Sequence, residues 1–250
     1  MSVVPESLPV AAVPARRALY WCLDGLRLWW RAPFRLFVLC ALQLLVETIL
    51  QLIPWIGVAL SKLVVPVLLM GILLGLDERA RGGHLRWSCL LDGMCRRELW
   101  PVLALAAMWG LGVFAVQQAV AWLVYGWPAV DAVLLGHAMA HRELMTLTFM
   151  RVLLLPGVLV SILLLLAPCL LLFDGQSPWR SITGSVRMVL RHASPFGVLL
   201  LIDLALFLLM LSTGWTMLVM LPFVVPWSMA STYVVWRDLR SVVPTPVVAD

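Results

Sequence analysis

Three ionisable side chains lie inside long apolar runs of the sequence, and they are the first candidates for chemistry: Glu47, Lys62 and Asp203. A charge in hydrocarbon is costly, so such residues normally face the bundle interior, a charged partner or a water-filled route. Gln43 and Gln51 flank Glu47 at four-residue spacing, which puts three polar side chains on one helical face. This stripe predicts either hydrogen bonds between helices or the lining of a substrate or proton route.

Glu47 and Lys62 are predicted to form an ion pair. Glu47 lies eight residues before Trp55, which we take as the turn between two helices, and Lys62 lies seven residues after it. At 1.5 Å per residue both side chains sit about 10 to 12 Å below the membrane surface. Gln117 and Gln118 in the next apolar run extend the polar surface.

Asp203 lies eight residues beyond Pro195, which places it about 12 Å into the membrane. Hydroxyl groups at a similar depth on the following helix are its predicted partners, namely Ser228, Ser231 or Thr232. A protonated carboxyl group is the alternative, because burial disfavours the charged form. Both states fit a structural role.

His137 and His141 are spaced to present two imidazoles to one metal, with Asp131 and Glu143 nearby. The sequence lacks an H-E-x-x-H motif, and a helix at the membrane interface accounts for the same residues. No phosphate-binding glycine loop and no G-x-S-x-G elbow are present. We therefore predict no catalytic residue, no metal site and no cofactor.

The composition indicates the kind of protein that positions these residues. Of 250 residues, 63% are hydrophobic and 12% are charged, against about 25% charged in a soluble domain. A soluble globule of this length cannot bury so much apolar surface. The arginines that give the net charge of +5 lie in short segments between apolar runs, which disfavours nucleic-acid binding. The five cysteines lack zinc-site spacing and are predicted to be free thiols.

Six apolar runs are long enough to cross a membrane, and they predict an all-α polytopic membrane protein. They cover residues 34–53, 56–76, 101–124, 149–172, 196–212 and 216–236. The links at 54–55 and 213–215 are tight, whereas those at 77–100 and 174–195 are long and arginine-rich. This alternation predicts three helical hairpins.

The distribution of arginines predicts the orientation. Fifteen arginines lie near the helix ends on the N-terminal side of the membrane, and only Arg142 and Arg151 lie on the other side. By the positive-inside rule both termini are expected in the cytoplasm. Residues 1–15 lack the apolar core of a signal peptide, so the first spanning helix is expected to direct insertion.

An internal repeat divides the chain into three similar units. Leu23-Asp24-Gly25 recurs as Leu91-Asp92-Gly93 and, less closely, as Ile182-Thr183-Gly184, and a proline follows each copy. The repeat predicts three copies of one unit, each a cytoplasmic amphipathic helix followed by a hairpin, within a single domain. The units cover about 15–76, 84–173 and 177–237, and the tails 1–14 and 241–250 are predicted to be disordered.

The amphipathic helices carry basic residues beside apolar stripes. Leu19, Leu23 and Trp30 belong to the stripe of the first helix, and Trp179 and Leu190 to that of the third. Such helices lie in the headgroup layer and attract anionic lipid. The predicted lipid-headgroup or partner surface comprises Arg27, Arg31, Arg96, Arg97, Arg180, Arg187 and Arg191. The alternative is that these helices only close the cytoplasmic base of the bundle.

These features resemble uncharacterised bacterial inner-membrane proteins of the YciC type, which are related to the membrane domain of glycerophosphoryl diester phosphodiesterases. The resemblance rests on the Leu-Asp-Gly helices running into Pro33 or Pro101, on Phe173-Asp174-Gly175 through Ser177-Pro178-Trp179, and on Arg187 and Arg191. It implies a six-helix protein of the bacterial inner membrane without a defined reaction. The catalytic domain of the phosphodiesterases has no counterpart in this sequence.

The sequence therefore favours a non-enzymatic accessory or scaffold protein that contacts anionic lipids or other membrane proteins. A small transporter or channel that uses the stripe around Glu47 and Lys62 is the second hypothesis, and an intramembrane enzyme is the third. The first two differ in one property: a transporter needs a continuous hydrated path past Glu47, whereas a scaffold keeps the stripe dry and paired.

Overall fold

The computed structural model describes residues 13–53, 55–94 and 99–242, and within these ranges the chain forms helices and no strand. The helices in order are α1 Arg17–Trp30, α2 Pro33–Gln51, α3 Gly57–Ala80, α4 Cys89–Asp92, α5 Leu99–Ala106, a π-helical turn Ala107–Leu111, α6 Gly112–Tyr125, α7 Trp127–Val133, α8 Leu147–Leu163, α9 Ala167–Asp174, α10 Pro178–Arg191, α11 Ala193–Met210 and α12 Gly214–Val242.

Within the described residues, six helical segments are long and apolar enough to cross a membrane, which confirms the predicted number of spans. They are Pro33–Gln51, Gly57–Ala80, Leu99–Tyr125, Leu147–Asp174, Ala193–Met210 and Gly214–Ser241. The π-helical turn interrupts the third span, and a break at residues 164–166 interrupts the fourth. The three-hairpin arrangement and the threefold repeat stay predictions.

The second span, α3, forms the centre of the bundle. Half of its most apolar window is buried, against 22% for the first, third and fifth spans. The main core surrounds the C-terminal half of α3 and includes Met70, Ile72, Leu76, Leu105 and Leu166. We call this end of the bundle, which holds α1, α4 and α10, the arginine-rich end, and we call the end that holds α7 the opposite end.

An aspartate near the arginine-rich end of each even-numbered span pairs with an aromatic side chain and an arginine. Asp77 accepts a hydrogen bond from Tyr233 (2.9 Å) and pairs with Arg81, and Asp174 accepts one from Trp236 (3.2 Å) and pairs with Arg240. Asp238 accepts hydrogen bonds from Trp21 (2.7 Å) and Arg17 (2.9 Å). These bonds tie α12 to α1 and to the ends of α3 and α9.

Helix α1 lies antiparallel to α12. Trp21, near the start of α1, contacts Asp238 of α12, and Trp29, near the end of α1, contacts Phe223 of α12. Asp238 and Phe223 are fifteen residues apart, which corresponds to about 22 Å along α12. Gly25 permits this approach, because a Cβ atom there would overlap the backbone and hydroxyl of Ser231. The predicted apolar stripe at Leu19, Leu23 and Trp30 is exposed, and the face that packs on α12, which includes Trp21 and Gly25, was not predicted.

Helix α10 stabilises the break in the fourth span. Ser177 is its N-cap and Pro178 its first residue, as predicted. The hydroxyl of Ser185 donates to the carbonyl of Leu163 (2.8 Å) and accepts from the amide of Leu166 (3.1 Å). One side chain thus satisfies two backbone groups that the break leaves without helical partners.

In the second predicted repeat unit, the amphipathic helix is a single turn, α4, at Cys89–Asp92. It packs against Gly71, where a Cβ atom would overlap backbone carbonyl groups of α4, so Gly71 is a helix-contact position. Arg96, Arg97 and Cys95 lie outside the described residues. So do most of the predicted tails, although Val13 is buried and α12 extends to Val242.

Candidate functional site

Glu47 and Lys62 face each other across α2 and α3. The Lys62 Nζ lies 2.8 Å from the Glu47 Oε1, and Gln51 Nε2 donates to the same oxygen at 3.1 Å. The side chains of Lys62 and Glu47 are 27% and 21% exposed. Protein therefore covers most of the surface of both side chains, and about a quarter of each remains exposed.

The remaining glutamines of the predicted polar surface divide between two environments. Gln43 is buried within the core between helices, and its Oε1 has no hydrogen-bond partner among the described residues. Gln118 is also buried, and within the same part of the chain neither of its amide atoms is bonded. Gln117 instead lines cavities, as described below. The structure thus brings Glu47, Gln51, Lys62 and Gln117 together and leaves Gln43 and Gln118 apart from them.

Asp203 lines the largest cavity and, among the described residues, has no hydrogen bond or ion pair. None of the three expected hydroxyl groups bonds to Asp203 in the described part of the chain, and the buried hydroxyl of Ser231 has no hydrogen-bond partner there. Thr232 donates to the carbonyl of Ser228 (3.0 Å) within α12, and Ser231 faces Gly25 of α1. Ser228 and Thr232 line the cavity together with Asp203, so the cavity itself lies between α11 and this part of α12.

Cys22 of α1 lies near the carboxyl group of Asp203. Burial, followed by the nearby Asp203 carboxyl group, raises the pKa of the Cys22 thiol to about 11. Burial is also the main cause that raises the pKa of Cys89 to about 11. Both residues are therefore protonated thiols at neutral pH and react slowly as nucleophiles.

Three adjoining cavities lie between the helices, and each is partly open to the surface of the bundle. The central cavity has a volume of about 420 Å³ and is lined by all spans except the first. The outer cavity, about 310 Å³, lies toward the opposite end and includes Gln51 and Lys62 in its wall. A linking cavity of about 160 Å³ shares Lys62 with the outer cavity and Ser161 with the central one. Gln117 lines all three.

The cavities together extend along most of the bundle. On the fourth span their lining runs from Met150 in the outer cavity, through Leu154, to Pro168 in the central cavity. Eighteen residues correspond to about 27 Å, close to the roughly 30 Å thickness of a hydrocarbon core. The lining is mainly apolar, and the polar side chains along it are Gln51, Lys62, Gln117, Ser161, Asp203, Ser228 and Thr232.

Local backbone features shape the wall between the cavities. Gly157 accommodates the amide of Gln117, which a Cβ atom at that position would overlap. Gly110, in the π-helical turn, lies directly against the Lys62 carbonyl group of α3. Trp109 of the same turn lines both the central and the linking cavity. Single π-helical turns inside α-helices frequently occur at functional sites.

The segment between α6 and α8 covers the opposite end. Asp131 accepts hydrogen bonds from His137 (3.0 Å) and His141 (2.7 Å), and these two bonds lower the pKa of Asp131. His137 also packs edge-on against Trp55, which follows α2. Among the described residues, no group of three or more His, Cys, Asp or Glu side chains is arranged to hold a metal.

The predicted lipid-facing arginines lie on exposed surfaces of α1 and α10. Arg27 pairs with Asp24 (2.7 Å). Within the described ranges, Arg180, Arg187 and Arg191 are exposed and have no carboxylate partner. Arg31 follows α1 and lines a separate cavity at the arginine-rich end. None of these arginines lines the central, outer or linking cavity.

Sequence reasoning missed Trp109, Gly157 and Ser161. The glycines at 110, 112 and 157 and the proline at 156 interrupt otherwise apolar spans, and they were the available signal for close helix approach. Comparison with known proteins finds no matching family model, curated protein or solved structure. The resemblance to proteins of the YciC type stays a prediction.

Proposed function

We propose that this chain is a membrane transporter for a small amphiphilic molecule, which binds in the central cavity and passes along the three adjoining cavities. The observation that carries the proposal is that the three cavities share lining residues beside Lys62 and together extend over about 27 Å of the fourth span. Glu47 lines none of these cavities and is paired with Lys62, so the choice of transporter over scaffold rests on the cavities and not on the polar stripe around Glu47.

The lining indicates the class of solute. Apolar side chains supply most of the surface, so the solute carries a substantial apolar body. Asp203 is the one carboxyl group in the central cavity wall and has no partner among the described residues. A solute with a basic group or a hydrogen-bond donor would satisfy Asp203, whereas an anion would be repelled. A volume of about 420 Å³ limits the solute to the size of a typical small-molecule ligand.

The proposal includes the orientation of the protein in the membrane. The arginine-rich end faces the cytoplasm of a bacterial cell, and the outer cavity opens toward the other side of the inner membrane. Gly136 and Gln51, which are exposed, lie in the wall of the outer cavity. A solute would therefore enter past Lys62 and reach Asp203 last. The protein performs no covalent chemistry in this scheme.

Cysteine accessibility tests the proposal directly. In a background without the five native cysteines, Gln117→Cys, Ser161→Cys and Asp203→Cys are expected to react with a small, charged methanethiosulfonate reagent, because the route holds water. Leu208→Cys is the control, since Leu208 is 47% exposed on the outside of α11 and faces lipid. Equal inertness of all four positions would show a dry interior and overturn the transporter proposal.

A flux measurement tests the solute class. Proteoliposomes loaded with DNA report entry of ethidium, an amphiphilic cation, by its fluorescence. The wild-type protein is expected to accelerate entry, and Asp203→Asn is expected to slow it by at least 10-fold, which corresponds to loss of one charge-assisted contact. Asp203→Glu keeps the charge and is expected to retain most of the flux.

A second role at the membrane surface is favoured by α10. Its exposed Trp179, Arg180, Arg187 and Arg191 form a basic amphipathic face that has no carboxylate partner in the described part of the chain. Such a face attracts anionic headgroups by about 1 kcal/mol per arginine. Contact with anionic lipids, or with partner membrane proteins that carry acidic surfaces, is thus compatible with transport.

A further inference from the structure

A fourth cavity lies at the arginine-rich end, away from the three that form the proposed route. Its volume is about 330 Å³. It is bounded by the start of α2 and by the loop that follows α3, and its polar lining residues are Arg31, Arg35, Arg79 and His84. Three of these four side chains are permanently cationic. Among the described residues, no acidic side chain lines the cavity.

The positive charge of this cavity is uncompensated because the nearby carboxylates are already paired. Asp77 binds Arg81 (2.9 Å), and Glu78 binds Arg86 (3.2 Å). Within the described ranges, Arg31, Arg35 and Arg79 have no carboxylate within ion-pair distance. Three guanidinium groups line one cavity without a carboxylate partner in the described ranges, so the cavity attracts an anion.

Two of the three arginines, Arg35 and Arg79, are held in place by backbone carbonyl groups rather than by acids. Arg79 donates to the carbonyl of Gly83 (3.1 Å) and to that of Arg31 (2.7 Å), and Arg35 donates to the carbonyl of Leu85 (3.0 Å). The Nε of Arg79 is buried and has no hydrogen-bond partner in the described structure. Because this nitrogen is enclosed by protein, an anion in the cavity does not bond to it directly, but the charge of the Arg79 guanidinium group adds to the positive potential of the cavity wall.

The start of α2 adds further donors. Its N-cap is Ala32, which offers no side-chain acceptor, and Pro33 follows at the first helical position. The amide groups of Phe34 and Arg35 therefore lack helical partners, and both residues line the cavity. The N-terminus of a nineteen-residue helix also carries a partial positive charge.

We propose that this cavity binds a phosphate group. Phosphate matches the site because several guanidinium groups and helix N-terminal amides can bond to its oxygens at once. Phe34 and Trp30 beside the cavity are each 70% exposed, which suits contact with the acyl chains of a phospholipid. A phosphate group reaches the site either as the headgroup of an anionic lipid or as a free phosphate ester, and the two sources are separable by experiment.

The test uses the full-length protein in detergent and native mass spectrometry. Phosphatidic acid is titrated as the lipid probe, and glycerol 3-phosphate as the soluble probe. The wild-type protein is expected to retain one molecule with high affinity. Arg31→Gln and Arg35→Gln are each expected to weaken binding about 5-fold, and the double variant about 25-fold. Retention of the lipid alone identifies a headgroup site, and retention of both probes identifies a general phosphate site.

A matched control separates the cavity from general surface charge. Arg187→Gln removes one exposed, unpaired arginine from α10 and is expected to leave the high-affinity molecule in place. Arg31 makes no side-chain bond that holds the loop, so Arg31→Gln is expected to keep the melting temperature of the unliganded protein. If Arg31→Gln and Arg35→Gln bind both probes as tightly as the wild-type protein, or lose affinity only as much as Arg187→Gln, the proposal is wrong.

Discussion

Breaking the Glu47–Lys62 pair is expected to cost more than removing it. At 2.8 Å and an effective dielectric constant of about 20, the gross attraction between the charges is about 6 kcal/mol. Desolvation of both ions offsets most of this attraction, so the net contribution of the pair is small. A single substitution, however, leaves one charge uncompensated. A fully buried pair then loses about 3 to 5 kcal/mol, and because about a quarter of each side chain is exposed we expect about 2 to 3 kcal/mol here.

The two single substitutions are expected to differ. After Lys62→Met, Glu47 still accepts a hydrogen bond from Gln51, which compensates part of the lost interaction. After Glu47→Gln, the ammonium group of Lys62 has only neutral acceptors. Glu47→Gln is therefore the more destabilising change, and the double variant is expected to recover to within about 1 kcal/mol of the wild-type protein.

Thermal unfolding in a mild detergent, followed by tryptophan fluorescence, measures these effects. For a chain of this length, 2 to 3 kcal/mol corresponds to a fall in melting temperature of about 5 to 10 °C. Thr48→Val is a suitable control, because Thr48 is exposed on the same helix and bonds only to the carbonyl of Leu44. Losses below 1 kcal/mol, or losses that add in the double variant, would refute the reasoning, since they describe a pair that is solvated like a surface salt bridge.

Three further predictions concern the helices that surround the cavities. Gly25→Ala is expected to lower the free energy of unfolding by about 1 to 3 kcal/mol, because the new Cβ atom overlaps Ser231. Gly197→Ala is the control: the space around Gly197 is open, so the melting temperature is expected to stay the same or rise. Ser185→Ala leaves the Leu163 carbonyl and the Leu166 amide without a partner, and it is expected to lower the free energy of unfolding by about 2 kcal/mol in the same assay. Ser181→Ala is expected to lower it less, because the Ser181 hydroxyl bonds only to the carbonyl of Ser177 at the start of the same helix. Because the hydrogen bonds from His137 and His141 lower the pKa of Asp131, its contribution to stability is complete above the ordinary aspartate pKa of about 3.9 and is lost as the pH falls through the lower folded-state value. Pepsin is therefore expected to cleave the segment 127–146 of the wild-type protein only well below pH 4. In the Asp131→Asn variant the same segment is expected to be cleaved already at pH 4. Identical pH profiles of cleavage would show that Asp131 does not hold this segment in place.

Features that depend on one helix, or on two helices joined by a short turn, could be predicted from the sequence. Hydropathy alone gave six spans whose bounds differ from the observed ones by a few residues. The depths of Glu47 and Lys62 follow from counting residues to the turn at Trp55, and the structure places the two charges 2.8 Å apart. Both arguments need only the rise per residue of a helix and the thickness of a bilayer.

Features that depend on how separate spans approach each other could not be predicted. The reasoning for Asp203 assumed that α11 and α12 touch at equal depth, but a cavity lies between them and no hydroxyl of α12 bonds to the carboxyl group in the described structure. The lining of the central cavity comes from five spans, so no spacing within one segment reveals it. Ser185 and Gly25 are small residues in amphipathic helices, and their partners lie on other segments.

The distribution of packing indicates where a solute would be stopped. The main core fills the arginine-rich half of the bundle, where α4 and α9 pack on α3, α1 packs on α12, and α10 packs on α9. A small cluster around Phe149 and Leu153 lies beneath α7. The cavities are accordingly open toward the opposite end, and buried Leu170 lies beyond Pro168, the last residue of the fourth span that lines the central cavity. A solute that crosses the membrane must displace this part of the fourth span, which is already broken at residues 164–166 and is held there by Ser185 of α10. On the proposed function, the junction between α10 and this break is therefore the place where a passing solute meets the packed core, and the two hydrogen bonds of Ser185 stabilise the closed arrangement there.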